Sequence, residues 1–445
     1  MRVARTPNPR LRALLGESGW TGQALADAVN AAAAEAGTRL HYDRTAVAHW
    51  LSGTCPPAPV AGFVAEVLSR RTRREVTVDD TGLARTSGHC GVPGSAAAAL
   101  EDIVAPLEEL AGRRAVLRST VYSLAATQLP SFAQLPPPVA ESKHRTEGLR
   151  IDGSHVRTAT LMLGVFSDAD TAFGGGRSRQ ALAAFLGTDM ALWLRSGGAP
   201  GVRAQLLAAA ADLTYLAGFM CFDDRLQGAA QHYYTAAARL ASAAGDPARY
   251  ALALRGMSVQ AHELGHCAES LRLASAAVAS APPGGPRVAF FTGQLAVASA
   301  AAGDRRAALT HLASAERALA RADLAGAGIG AYHQASLAHQ QSETLALLGD
   351  LPRAAELLAL SLRHRPPGER RSRAVTKARL AGIRLRMGHV EHACEDWRGF
   401  LDDHPMLESG RADAALRSLR RELRPYAASV PAARDVLARA GAGAR

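Results

Sequence analysis

Residues 341–366 read QSETLALLGDLPRAAELLALSLRHRP, which is two helical runs separated by a glycine and closed by a proline. Gly349 permits a tight turn after the first run, and Pro366 cannot continue the second one. The stretch therefore predicts a hairpin of two antiparallel helices. A chain assembled from such hairpins is all-α, and a composition rich in alanine but only 5% aromatic also favours packed helices over sheet.

The same pattern recurs four times, with a turn glycine, a small residue five positions later and, in three copies, a proline seventeen positions after the glycine. An earlier copy is assigned to Gly218 and Ala230. Small residues let two helices approach closely, so each predicted hairpin packs on the next. The small positions 230, 270, 308, 354 and 393 are 40, 38, 46 and 39 residues apart. The glycines are Gly265, Gly303, Gly349 and Gly388, the small residues Ser270, Ala308, Ala354 and Ala393, and the prolines Pro282, Pro366 and Pro405.

This arrangement resembles the tetratricopeptide repeat, a helical hairpin of 34 residues that stacks into a solenoid. The spacing is longer than 34 by four or more residues, and the consensus Trp and Tyr of the first helix are mostly missing. Another antiparallel helical array therefore remains the alternative. The resemblance implies a concave face that accommodates a peptide or a partner helix.

Composition and the positions of turn-forming glycines and prolines divide the 445 residues into five zones. Alternation of apolar and polar residues, the pattern of a strand, is almost absent, and residues 75–78 are the one short candidate. The triple glycine at 174–176 is expected to break a helix. The zones are a helix-turn-helix domain (1–85), a linker reading TSGHCGVPGSAAA (86–98), a helical connecting region (99–202), the repeats (203–405) and C-terminal helices with a tail (406–445).

The formal net charge of +11 invites a nucleic-acid interpretation but supports it only weakly. Lys143 and Lys377 are the only lysines, and arginine in place of lysine, with abundant alanine and glycine, is typical of a high-GC genome. The dense basic run at 363–373, RHRPPGERRSR, is expected to be a solvated loop between repeats.

Cysteine usage and hydropathy predict a cytoplasmic protein without a membrane partner. The five cysteines form no CxxC pair, so neither a disulfide framework nor a zinc ribbon is expected. They are interpreted as small core residues in helices. No secretory signal is apparent, and no apolar run approaches the ~18 residues of a membrane span.

Two short segments in the first 60 residues begin with strong capping residues. Thr21 follows Trp20, and Asp43 follows Tyr42. In each case the capping side chain accepts hydrogen bonds from the first turn, and the preceding aromatic ring packs on an apolar residue of the helix. With a turn at Gly37 between them, the two segments predict a helix-turn-helix.

The residues Gln23-x-Leu25-Ala26 and Thr45-Ala46-Val47-Ala48-His49-Trp50-x-x-Gly53-x-x-Pro56 resemble the phage-repressor (XRE type) helix-turn-helix domain, over about the first 80 residues. The segment 29–42 is longer than the usual turn. The whole chain, with FGGG at 173–176 and the repeats behind it, is similar to helix-turn-helix regulators with tetratricopeptide domains in high-GC bacteria. Some of that family restrain sporulation and antibiotic production. The resemblance implies a repressor-like transcriptional regulator that binds double-stranded DNA.

The second helix of such a domain enters the major groove. Arg44, at its start, is expected to reach guanine O6 and N7 with a bidentate pair that contributes ~1–3 kcal/mol of discrimination. A single helix-turn-helix domain contacts few base pairs, so we expect a homodimer that binds two half-sites about one turn of DNA apart. No cofactor is expected. The other predicted contacts are Thr45 and Ala48 at a thymine methyl, His49 at a base or a phosphate, and Thr21, Gln23, Arg39 and His41 at phosphates.

Two alternatives come from other classes of protein. Residues 1–80 carry ten arginines against eight acidic residues, so Arg44 could be a solvated charge on a scaffold whose N-terminal domain binds protein. The second alternative is a zinc protease, because residues 262–266 read HELGH. Against it, Leu264-Gly265 falls at a predicted turn, and after Glu269 no Asp, Glu or His follows before Asp304 to supply a third ligand. We therefore expect no enzyme activity.

Overall fold

The computed structural model describes residues 6–36, 38–84, 101, 104–109, 121–134, 149–284, 287–321 and 332–442. Within these ranges the chain forms nineteen α-helices and one pair of two-residue parallel strands, Arg150–Ile151 and Gly197–Gly198. The all-α prediction is confirmed. The predicted linker, 86–98, lies outside the described residues.

Four helices at the N-terminus share their own hydrophobic core. They are α1 (Pro9–Ser18), α2 (Gly22–Glu35), α3 (Arg44–Leu51) and α4 (Ala58–Thr72). Both predicted caps are present. Thr21 Oγ1 accepts from the Ala24 N–H at 3.1 Å, and one carboxylate oxygen of Asp43 accepts from the first turn of α3. These caps fix where the two helices begin.

Residues 75–78 are not a strand, which corrects the one strand candidate. No strand pairs with this segment within the described residues. The hydroxyl of Ser69 instead bonds to both backbone groups of Val76, accepting from its N–H at 2.9 Å and donating to its carbonyl at 3.2 Å. Val76 is buried in the N-terminal core. The apolar residues of the segment therefore reflect burial beneath a loop.

The remaining helices form a connecting group and an array of hairpins. The connecting group is α5 (Gly153–Phe173), α6 (Gly175–Phe185) and α7 (Ala191–Arg195), with a π-helical turn, Leu186–Met190, between the last two. The hairpins are α8 (Pro200–Asp223) with α9 (Gln227–Ala243), α10 (Pro247–Glu263) with α11 (Cys267–Ser280), α12 (Val288–Ala301) with α13 (Arg305–Arg321), α14 (Gln334–Leu347) with α15 (Leu351–His364), α16 (Arg370–Arg386) with α17 (Val390–Asp403), and α18 (Gly410–Leu423) with α19 (Pro431–Ala442).

The first five hairpins turn in the same way. At four of them the turn glycine has φ between 81° and 88°, and the next residue donates its N–H to the carbonyl five positions earlier. This is the Schellman arrangement that ends a helix in the left-handed region. The small residue five positions later is fully buried in every copy: Ala230, Ser270, Ala308, Ala354 and Ala393. The glycine and alanine spacing thus reports real turns and real helix crossings.

The first hairpin departs from the predicted assignment. Gly218 lies inside α8, where an added Cβ would meet the Tyr234 ring at 2.8 Å. The residue at the turn is Arg225, with φ 62°, five positions before Ala230. Gly218 therefore serves close packing, and an arginine holds the left-handed conformation that glycine holds elsewhere.

The connecting group joins the two ends of the array. The triple glycine breaks the helix as predicted, between α5 and α6, and the chain near Glu408 lies directly against it. A Cβ on Gly174 would lie 2.6 Å from the Glu408 carbonyl, and the Gly176 N–H donates to that carbonyl at 2.9 Å. Helix α5 also packs on both α8 and α16. Helix α5 thereby covers part of the inner face of the array.

One helix in the described part of the chain is long and apolar enough to cross a membrane, by length and composition alone. It is α8, and 83% of its most apolar window is buried inside the protein. A helix that is apolar all round and covered by other helices is typical of a protein core.

The cysteines follow the core interpretation only in part. Cys221 and Cys394 are buried in helices, whereas Cys55 is exposed in the loop before α4 and Cys267 is half-buried at the start of α11. Cys90 lies outside the described residues.

Candidate functional site

The outer face of α3 is the candidate DNA interface. All eight side chains predicted to contact DNA are exposed, and they come from the start of α2, the loop before α3 and α3 itself. Val47 and Trp50 occupy the opposite face of α3 and are buried, and the Trp50 ring meets Tyr42 edge-on at 5.1 Å. The eight residues are Thr21, Gln23, Arg39, His41, Arg44, Thr45, Ala48 and His49.

Gln23 links the two helices at this face. Its side-chain carbonyl accepts from the Arg44 N–H at 3.2 Å, while its amide donates to Asp27 at 2.8 Å. Gln23 therefore holds the first residue of α3 in place. Backbone N–H bonds from Ala46 and Thr45 lower the pKa of Asp43, so an anionic carboxylate stands beside Arg44.

The opposite face of the N-terminal domain docks on the repeats. His266, before α11, meets Glu66 of α4 at 3.0 Å, and both side chains are only 3% exposed. Arg70 binds Glu66 at 2.7 Å, and Tyr122 stacks on the His266 ring at 5.4 Å. These contacts form a buried polar junction between the N-terminal domain and the second hairpin.

A second contact explains the arginine at the first turn. Arg225 lies 3.3 Å from Glu35 at the end of α2, and Glu35 also receives Arg70 at 2.9 Å. A glycine at position 225 would suit the backbone better but could not reach Glu35. The docking surface thus consists of the end of α2, α4 and two hairpin turns, and it leaves the outer face of α3 free.

The HELGH segment lies across the end of one helix and the start of the next. Glu263 ends α10, Gly265 has φ 84°, and Cys267 begins α11. His262 lies 3.3 Å from Glu343, whereas His266 lies 3.0 Å from Glu66. The two histidines therefore contact different carboxylates in different parts of the protein. Within the described residues no cluster of three or more His, Cys, Asp or Glu side chains could hold a metal ion.

The inner face of the array lines a partly open cavity of about 260 Å³. Most of its wall comes from the first helices of the hairpins, α8 to α18, and from α5, while Tyr332 precedes α14 and Arg365 follows α15. Aromatic rings and arginines dominate the lining. The aromatic residues are Tyr215, Phe219, Phe222, Phe290 and Tyr332, and the arginines are Arg255, Arg365, Arg371, Arg379 and Arg411.

Ion pairs organise one side of this cavity. Arg379 lies 2.9 Å from Glu343 and 3.8 Å from Glu263. Burial alone would raise the pKa of Glu343, but Arg379 and His262 hold that pKa well below its usual range. Burial, with Arg379 close by, lowers the pKa of His339 to about 3. At neutral pH this side therefore contains an ionised carboxylate and an uncharged imidazole.

The basic run 363–373 is only in part the solvated loop that the sequence predicts, because residues 363, 364 and 366–368 are exposed whereas several of its arginines pair with carboxylates. Arg371 is 8% exposed and lies 3.2 Å from Asp170 on α5, and the Arg365 side chain is 6% exposed beside Glu369 at 2.6 Å. Arg373 lies 2.6 Å from Asp403. Arg371 and Arg373 pair with distant carboxylates on α5 and at the end of α17, whereas Arg365 pairs with Glu369 inside the run.

The exposed face of α3 is predictable from the sequence, whereas the residues of the junction and of the cavity lining are not. Capping residues and periodicity are local signals, and α3 is a local structure. Glu66, His266 and Arg255 come from separate elements, and each by itself looks like an ordinary polar residue in a helix or at its end. Their mutual contacts could be recognised only after the helices were assembled.

The N-terminal helices match a known family. A family model described as the SP15 N-terminal domain matches residues 11–84. The match begins within α1 and ends after α4, so it covers the four helices that share the N-terminal core. No curated protein matches the chain.

Proposed function

We propose that this chain is a sequence-specific, repressor-like transcriptional regulator of the cytoplasm, in which the outer face of α3 binds double-stranded DNA and the repeats sense a ligand or partner. One observation carries the proposal. The residues expected to contact DNA, at the start of α2, in the loop before α3 and on α3, are all exposed, while α4 of the same domain contacts the repeats through Glu66 and His266. A recognition helix needs this division between a docked face and a free face.

The charge on the free face sets the expected strength of binding. Arg39 is the one arginine among the residues predicted to contact phosphates, because Arg44 is assigned to a guanine, so each N-terminal domain neutralises about one phosphate. Counterion release then gives a slope of log K against log salt of about −1 per domain. A single N-terminal domain with this charge binds DNA weakly, which favours the joint binding of two such domains.

Helix α5 offers a surface for a second copy. Leu161 and Val165 are 71% and 60% exposed, and nothing lies within 4 Å of a Cβ built on Gly164. If two α5 helices pair antiparallel about a two-fold axis, Leu161 lies opposite Gly164, and Arg157 opposite Asp168. Neither Arg157 nor Asp168 forms an ion pair within the described part of the chain. The face is therefore complementary to itself in shape and charge.

The test is genome-wide footprinting of the purified full-length protein, the Arg44→Ala variant and a control, Arg12→Ala, which removes a charge from α1. We expect paired half-sites for the wild type and for Arg12→Ala. Loss of the guanine contact in Arg44→Ala should cost ~1–3 kcal/mol, or roughly 5- to 150-fold in affinity at the cognate site.

A Leu161→Glu variant tests the dimer by sedimentation, and we expect a monomer that binds single half-sites only. Footprints indifferent to Arg44, or no footprints at moderate salt, would favour the scaffold function, in which the N-terminal domain binds protein.

A further inference from the structure

Three buried donor nitrogens with no hydrogen-bond partner line the inner cavity. They are the Nε of Arg255, the Nε2 of Gln340 and the Nε of Arg365. Gln340 is 6% exposed, and its carbonyl already accepts from the Tyr332 hydroxyl at 2.7 Å, so only its amide nitrogen is free. The other buried lining atoms without a partner are Asp170 Oδ1 and His262 Nδ1. Buried donors without acceptors are costly, so this excess indicates an occupant that brings acceptor oxygens.

The same cavity provides flat apolar surfaces under its cations. The Arg255 guanidinium lies 3.8 Å from the centre of the Phe290 ring, and that ring is 5.2 Å from Tyr332. Arg411 lies 5.0 Å from the Phe222 ring. Neither Arg255 nor Arg411 forms an ion pair with a carboxylate within the described ranges. Two arginines thus lie on aromatic rings, and Arg255 has no carboxylate partner within the described lining.

The ion pairs of the cavity lining also favour an anionic occupant. Arg371 pairs with Asp170, Arg379 with Glu343, and Arg365 with Glu369 beside the lining. Burial alone would raise the pKa of Glu263, but Arg411 and Arg379 lower it, so Glu263 is the counter-charge nearest to Arg411. Within the described lining, Arg255 is therefore the arginine without a carboxylate partner. A single carboxylate would supply both the counter-charge and the acceptor oxygens that Arg255 and Gln340 lack.

We propose that the inner cavity of the repeats binds an aromatic carboxylate, with its anionic group on Arg255 and Gln340 and its ring against Phe290 and Tyr332. Two sources share this chemistry, a free aromatic acid and the C-terminal aromatic residue of a peptide. The inference deepens the sensing role proposed above. Binding is measured without DNA, so its failure and the failure of DNA recognition are separate results.

The experiment is calorimetric titration of the full-length protein with naphthalene-2-carboxylate and its neutral isostere, naphthalene-2-carboxamide. N-acetyl-alanyl-phenylalanine and its C-terminal amide form the second pair of probes. We expect at least a tenfold preference for the acid over the amide in one pair, and the pair that shows it identifies the source. Arg255→Gln should remove the preference, and Arg255→Lys should retain part of it, because lysine keeps the charge without the planar donor pair.

Arg353→Gln is the matched control, because Arg353 is an exposed arginine on α15 paired only with Glu356. It should bind like the wild type. Circular dichroism and the melting temperature establish that each variant is folded. Equal affinity for acid and amide, no binding of any probe at millimolar concentration, or binding insensitive to Arg255 in a folded variant would overturn the proposal.

Discussion

Replacing His266 with alanine should loosen the N-terminal domain from the repeats without unfolding either one. The His266 ring meets the Glu66 carboxylate at 3.0 Å, and both side chains are 3% exposed, so solvent screens the contact little. A hydrogen bond to a charged group contributes about 1.5–3 kcal/mol. In the variant, Glu66 still pairs with Arg70 at 2.7 Å. The loss of stability is therefore smaller than the cost of leaving a buried charge unpaired. We therefore expect a cost of about 2 kcal/mol.

The measurement is amide hydrogen exchange of α4 followed by mass spectrometry. A loss of about 2 kcal/mol accelerates exchange of the buried α4 amides about 30-fold, since each 1.36 kcal/mol is a factor of ten. His266 stands at the N-cap of α11 but makes no side-chain cap bond, so its removal does not shorten that helix. A His266→Gln variant retains a donor and should restore part of the protection.

The control is His262→Ala, which removes the other histidine of the HELGH segment. His262 contacts Glu343 in the cavity, so α4 should exchange as in the wild type while peptides of α14 change. If His266→Ala leaves α4 exchange within threefold of the wild type, the contact between His266 and Glu66 does not protect α4. Equal acceleration of α4 exchange by the two variants would contradict the role of His266 as well.

Two further predictions concern the repeats. Gly388→Ala should lower the free energy of unfolding, because alanine at φ 81° costs roughly 1–2 kcal/mol although nothing lies within 4 Å of its Cβ. Gly382→Ala, in open space inside α16, should raise the free energy of unfolding by roughly 0.5–1 kcal/mol. Both are measured by urea denaturation, and a fall in both would contradict the backbone explanation. Burial, opposed by Arg371, raises the pKa of Asp170 from 3.8 to about 6. The folded protein therefore binds this proton more readily than the unfolded chain. As a result, the stability of the wild type falls as the pH rises from about 4 to 6. Asp170→Asn should gain roughly 3 kcal/mol relative to the wild type over that interval, measured by denaturant titration at each pH, and a constant difference between the two proteins would argue against the shift.

The sequence by itself determined the local structure of this protein. Gly265 and Gly388 each predict a turn, because a left-handed turn excludes most other residues. The small residue five positions later predicts a crossing of two helices, because a close helix contact excludes most larger side chains. Capping at Thr21 and Asp43 works within one turn of helix. Such signals involve residues a few positions apart, so they can be read directly along the chain.

The tertiary structure decided everything that depends on distant partners. Arg225 takes a turn position suited to glycine because Glu35, 190 residues earlier in the chain, pairs with it. Arg371 is buried because Asp170 lies across the cavity, and His266 belongs to a domain junction because it meets Glu66. A polar side chain is buried only where another element neutralises it, and that element is known only once the hairpins have stacked and α5 has joined the ends of the array.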